Sequence, residues 1–143
     1  MKKLLIYAFI FFCLNGCSCN KAAFTDYPEI HNSRNSVDWP GEYTGIIPAA
    51  NGSGIKINLT LNQDNSYVLI YEYLDKPDGN FFYTGYFTWD SNGGLITIDD
   101  GKSTSHYKVG EHILFILDQD KKEIPGNLKD NYILKKLSIN GGF

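Results

Sequence analysis

Cysteine is nearly missing from this chain. The three that occur, Cys13, Cys17 and Cys19, fall within the first nineteen of 143 residues. Nothing beyond them can form a disulfide or a thiolate metal site, so the folded part must stand on its apolar core. Charge of one sign is also lacking. Thirteen Lys and Arg stand against sixteen Asp and Glu, a net charge of −3. That argues against strong non-specific nucleic-acid binding, and no nucleic-acid partner is expected. No helical period, internal repeat or low-complexity tract follows the first segment. Aromatics are not scarce: with 15% aromatic and 43% apolar residues, disorder is excluded. The length suits one domain.

The first sixteen residues read as an address. Lys2 and Lys3 precede an apolar run from Leu4 to Leu14. Eleven helical residues reach about 16 Å, whereas a bilayer core needs about 20 residues. The run therefore has the length of a signal-peptide core and not of a transmembrane span. Leu14-Asn15-Gly16-Cys17 resembles the bacterial lipobox. The small Gly16 lets a signal peptidase approach, and the Cys17 thiol would take a thioether-linked diacylglycerol. Several acyl chains on one cysteine make release from the bilayer slow. Ser18 stands where an Asp would retain such a protein at the inner membrane, and no acidic run follows Cys17. The expected location is the outer membrane, facing the periplasm. Residues 17–38 read as the lipidated N-terminus and a tether, residues 39–137 as the domain, and residues 138–143 as a tail. The tether, which includes His31 and Arg34, could extend about 70 Å.

The domain is built from strand signals. Ile55, Ile57, Leu59 and Leu61 alternate with Lys56, Asn58 and Thr60, one face dry and one wet. Similar stretches at 42–47, 66–74, 81–89, 95–98, 104–109, 112–117 and 131–135 bring the expected number to eight. Pro77-Asp78-Gly79, Asn92-Gly93-Gly94, Asp100-Gly101 and Gly110-Glu111 mark turns between them. Asp100-Gly101 suits a two-residue type I′ hairpin and Gly110-Glu111 a type II′ hairpin. Short connections force antiparallel neighbours. Eight such strands escape exposed edges by closing, which predicts a small all-β, up-and-down, lipocalin-like barrel. Gly85 marks a bend or a close backbone approach. Val68, Leu69 and Ile70, and Ile113 to Leu117, break the alternation and predict two outward apolar stripes.

Catalytic and metal chemistry find little support. A two-residue turn at Gly110-Glu111 would pair Val109 with His112 and His106 with Phe115, holding the two imidazoles about 10 Å apart. No zinc spacing, Gly-x-Ser-x-Gly motif or glycine-rich phosphate loop occurs. No metal, cofactor or enzymatic activity is expected.

The domain also carries a resemblance. Gly45-Ile46-Ile47-Pro48, Gly54-Ile55, Gly85 with Trp89, Leu95 to Asp99, Leu117-Asp118 with Ile124, and Asn131 to Leu134 resemble, in order and spacing, the N-terminal domain of the NlpE family of envelope-stress and copper-resistance lipoproteins. The resemblance implies a lipocalin-like barrel at the outer membrane. It also implies a Cys-x-x-Cys after Pro48, proposed in the family to bind copper or report redox state. Here those two places hold Ala49 and Gly52, which carry no donor atom for copper(I). The family's second domain is not expected here. The reading is a non-enzymatic outer-membrane lipoprotein that binds or senses in envelope homeostasis, with the bilayer and an envelope protein as partners. The alternative is a carrier whose interior holds a small apolar ligand against Tyr71, Phe87 and Trp89.

Overall fold

A computed structural model describes residues 32–50 and 52–138. The signal segment, Cys17, Cys19, His31 and residues 139–143 lie outside the described residues.

The alternating segments form nine strands: β1 Gly41–Ile47, β2 Ile55–Leu61, β3 Ser66–Tyr73, β4 Asn80–Tyr86, β5 Thr88–Trp89, β6 Leu95–Asp99, β7 Thr104–Gly110, β8 Ile113–Leu117 and β9 Ile133–Lys136. All pairings are antiparallel, in the order β4-β3-β2-β1-β9-β8-β7-β6-β5. The first strand pairs with the last, through Tyr43 with Lys136 and Thr44 with Lys135. The two ends of that order, β4 and β5, are consecutive in the chain. The sheet thus wraps into a nearly closed barrel.

Nine strands replace the expected eight because the segment 81–89 bends at Phe87. Its first part pairs with β3 and its last two residues with β6. Phe87 turns into the core, and its N–H donates to the Asn65 carbonyl at 2.9 Å. Gly85 explains the neighbouring approach. A Cβ there would sit 3.1 Å from the Tyr67 ring. Tyr67 lies across Gly85 and donates its hydroxyl to the Asp99 carbonyl on β6 at 3.0 Å. One side chain from β3 thereby spans the seam between β4 and β6.

Two hairpins differ from their expected geometry. Asp99 pairs with Thr104, so four residues and not two form the β6–β7 loop. The Asp100 carboxylate accepts from the backbone N–H groups of Lys102 and Ser103 at 2.8 and 2.7 Å, which holds the wider loop. At the next hairpin Gly110 stays in the ladder opposite Ile113, and Glu111-His112 makes the turn. Val109 then faces Leu114, both buried, and His106 faces Leu117. His112 takes the positive φ (58°), and its carbonyl accepts from the Lys136 N–H of β9. That bond to the closing strand favours the shifted register. His106 and His112 therefore do not take the pairs with Phe115 and Val109 that a turn at Gly110-Glu111 implied.

Residues before 39 also pack on the barrel. Residues 32–38, expected within the tether, form a helical turn (α1, Ser33–Ser36) capped by Asn32, whose side chain accepts from the Asn35 N–H. Ser33 Oγ donates to the Val109 carbonyl at 2.5 Å, and the Arg34 N–H donates to Gly93 O at 2.9 Å. Val37 packs on the core, and buried Trp39 donates from Nε1 to Arg34 O at 3.0 Å. The segment closes one end of the barrel. Of the polar side chains that suggested a tether, Ser33 bonds the barrel and Asn32 caps the turn.

Side chains pack the centre of the barrel. Tyr43, Tyr67, Tyr107, Leu59, Leu61, Leu69, Ile96, Ile98, Leu114 and Leu134 are fully buried within it. Each large apolar side chain so buried contributes roughly 1.5–3 kcal/mol before entropy is subtracted. Of the two outward stripes, the one on β8 is partly roofed. Phe115 and Ile116 line a groove with Ile124, Pro125 and Tyr132 from the segment between β8 and β9. Val68 and Ile70 of β3 are half-buried beside Thr84 and Phe82 of β4.

Candidate functional site

The three candidate ligand contacts lie in two places. Phe87 and Trp89 meet Trp39 edge-to-face, with centroids 5.8 and 5.3 Å from the Trp39 ring. This trio fills the barrel end that α1 covers, and Trp89 Nε1 donates to the Asn65 side chain at 3.3 Å. The space a carrier would offer a ligand is here occupied by the protein's own rings. Tyr71 stands toward the other end of β3. It joins Tyr73, Phe81 and Tyr83 in a cleft of about 270 Å³, faced by Asp100 and Lys102 of the β6–β7 loop.

Strand alternation builds this cleft. Tyr71 and Tyr73 share one face of β3, and Phe81 and Tyr83 share the matching face of β4. Their rings meet edge-to-face: Tyr71 with Tyr83 at 6.0 Å, and Tyr73 with Phe81 at 5.7 Å. Lys76 Nζ stands 5.1 Å over the Tyr73 ring and Lys102 Nζ 5.7 Å over Tyr83, distances at which cation–π attraction operates. Below them, burial raises the phenol pKa of Tyr71 and, more strongly, that of Tyr107. Both stay protonated, so the cleft has an apolar wall, cations at its rim and neutral hydroxyls beneath. The Asp100 carboxyl feels partial burial, which raises its pKa. The N–H groups of Lys102 and Ser103 outweigh that and hold it below the ordinary value.

The loop where the family resemblance implies two cysteines lies between β1 and β2. Pro48, Ala49, Gly52 and Leu128 line a shallow cleft there of about 410 Å³. None offers a thiolate, imidazole or carboxylate. Gly52 has φ of 135°, in the range that favours glycine, so a cysteine at that place would be strained. The residues present do not fit a copper(I) site. Titrating the chain with copper(I) is expected to give no tight stoichiometric binding. Saturation at one equivalent, read against a chelator of known affinity, would contradict this.

A larger cleft of about 580 Å³ went unnoticed in the sequence. It gathers Asp38, Glu42, His112, Lys136 and Leu137 where β1 meets β9. Lys136 Nζ lies 2.7 Å from the Asp38 carboxylate and also donates to the Asp38 carbonyl. That hydrogen bond and the lysine's charge keep the Asp38 pKa below the usual range. The partners are 98 residues apart, so no local pattern could have announced them. Among the described residues no group of three or more His, Cys, Asp and Glu is placed to hold a metal ion.

His106 is buried, and its Nδ1 lies 2.9 Å from the Thr97 hydroxyl. Burial, then the nearby Lys121 charge, lowers its pKa. Below about pH 6.5, the ordinary histidine value, the unfolded chain takes up this proton before the folded chain does. Stability therefore falls as pH drops from 7 through the depressed value. Urea unfolding midpoints between pH 7 and 5 should show this slope, and His106→Leu should flatten it. An unchanged slope in the variant would assign the effect elsewhere.

The comparisons with known proteins agree with this architecture. The family model of the NlpE N-terminal domain matches residues 43–127. Lipoprotein NlpE of Escherichia coli strain K12 is 26% identical over 118 residues, covering 82% of this chain and 49% of that protein. The chain thus spans about half the length of that relative. A crystal structure from Shewanella oneidensis, described as a lipoprotein, superposes with a TM-score of 0.70 at 46% identity, covering 76% of this chain and 98% of the other. The crystal structure of the Cpx pathway activator NlpE from Escherichia coli gives a TM-score of 0.53 at 24% identity, over 62% of this chain and 47% of that one, and shares the fold. With the matched segment running from β1 through the β8–β9 connection, the chain belongs to the NlpE N-terminal domain family.

Proposed function

We propose that this chain is an outer-membrane lipoprotein, held by a diacylglycerol on Cys17 with its barrel facing the periplasm. It acts there as a non-enzymatic binding or sensing module in envelope homeostasis. The observation that carries the reading is the coincidence of a lipobox ending at Cys17 with a barrel whose family and relatives are lipoproteins. The Escherichia coli relative of known structure is a Cpx pathway activator, which supports an envelope-stress role. The packed centre of the barrel favours recognition at its surface or at the Tyr71 cleft over transport through its middle.

Cys17→Ala tests the anchor. The unaltered chain is expected to sediment with outer-membrane fractions and to label with palmitate, while the variant is released into the soluble periplasmic fraction. A variant that still sediments would overturn the anchor assignment. Loss of an envelope-stress reporter response on deletion of the chain, restored by the unaltered chain and not by Cys17→Ala, would support the sensing role. A response unaffected by deletion would remove it.

A further inference from the structure

Among the described residues, the seam of the barrel leaves one strand with a side that no ladder uses. β4 stands at one end of the strand order and, among the described residues, pairs with β3 alone, its other side facing β6 across the seam. Two backbone bonds bracket its register: Tyr73 N–H to Gly79 O, and Phe87 N–H to Asn65 O. Residues in an antiparallel pair alternate between bonding their partner and facing away. Phe81, Tyr83 and Gly85 therefore direct their backbone groups to β3. Asn80, Phe82 and Thr84 direct theirs to the free side. Near Gly85 the seam is bridged by Tyr67 reaching Asp99. Toward Asn80 it parts around the aromatic cleft, with Phe81 and Tyr83 on one side and Asp100 and Lys102 on the other.

This edge lacks the usual protection. Residues 80–89 contain no charged residue and no proline, two of the devices that keep edge strands from pairing with other chains. Phe82 is 66% exposed and Phe81 43% exposed. Charge gathers beside the edge and not on it. Lys76 and Lys102 flank the cleft, and neither joins an ion pair among the described residues. The acid at the rim, Asp100, has its carboxylate turned to the N–H groups of its own loop.

We propose that the β4 edge from Asn80 to Thr84 accepts an extended strand of another protein, with an apolar side chain entering the aromatic cleft and an acidic residue meeting Lys102 or Lys76. In such strand addition, main-chain hydrogen bonds supply affinity and a side-chain pocket supplies selection. The open ladder, the ring-lined cleft and the unpaired lysines supply all three parts at one place. The inference goes beyond the proposed function and does not depend on the membrane anchor.

The test uses the full chain in phosphatidylcholine nanodiscs and a fluorescent probe peptide, acetyl-Thr-Val-Phe-Val-Thr-Val-Glu-Glu-amide, followed by anisotropy. Saturable binding is expected. N-methylation of the peptide amides on one edge should weaken it roughly tenfold or more, the loss of one or two backbone hydrogen bonds. Thr84→Pro should do the same, because the Thr84 N–H faces the free side and its loss spares the β3 ladder. Thr84→Val, which keeps the N–H, should stay within about twofold, since a surface change of this kind seldom alters contacts. Lys102→Glu should weaken this probe and strengthen one with lysines in place of its two glutamates. Should Thr84→Pro fail to fold, the N-methylated peptide decides alone. Absence of saturable binding, equal binding by the N-methylated peptide, or self-association of the chain through this edge that the probe does not compete would each overturn the proposal.

Discussion

Replacing Trp39 by alanine is expected to cost about 3–5 kcal/mol, the range for truncating a buried aromatic. That is a large part of the roughly 5–15 kcal/mol by which a domain is stable. Trp39 meets Phe87 and Trp89 edge-to-face and donates to Arg34 O, and its own carbonyl accepts from the Tyr43 hydroxyl at 2.6 Å. Losing the ring opens the barrel end and loosens α1 together with it. Urea unfolding would measure the loss, and faster hydrogen exchange at Arg34 and Ser36 would place it. Trp39→Phe retains an aromatic ring and loses the Nε1–H donor, at about 1 kcal/mol. A loss in Trp39→Ala no larger than in Trp39→Phe would show that residues 32–39 do not brace the barrel.

The second large effect has a sign opposite to the one strand propensity implies. Glycine inside a strand is usually unfavourable, so alanine should gain about 0.5–1 kcal/mol. At Gly45 it is expected to cost about 1–3 kcal/mol, the range for overpacking. A Cβ there would lie 2.5 Å from the Ile133 carbonyl oxygen and 2.8 Å from Leu134 Cδ2. Ile133 is held in the ladder opposite Phe115 and Leu134 is fully buried, so neither can yield without disturbing the β1–β9 closure. Gly94→Ala is the control. Nothing lies within 4 Å of a Cβ at Gly94, and its φ is not positive. Its unfolding free energy should move by less than about 0.5 kcal/mol. A stabilising Gly45→Ala would mean that β1 and β9 do not approach as closely as described.

Local pattern carried far in this protein wherever the cause was local. The alternation in 55–61 became β2 with Ile57, Leu59 and Leu61 buried, because a side-chain period of two leaves one face dry. Hairpin ends were less legible. His112 takes a positive φ at a place where Gly110 was the obvious candidate, since a bond from Lys136 on a distant strand fixes the turn. The single segment 81–89 divided at Phe87 for a similar reason: its two halves answer to different partners. The aromatic cleft was legible only in part. Tyr71 stood out as an aromatic in a strand, but Lys102 and Asp100 reach it through register and loop shape.

Residue order alone therefore determined the all-β class, the antiparallel neighbours, the family and the missing thiols at Ala49 and Gly52, because each depends on period, turn chemistry or residue identity. Tertiary structure decided which ends meet. It brought Lys136 to Asp38, folded residues 32–39 over one mouth of the barrel, laid Tyr67 across Gly85 and, among the described residues, left one side of β4 unpaired. Those outcomes arise from packing between segments far apart in the chain, and no local stretch holds the information for them.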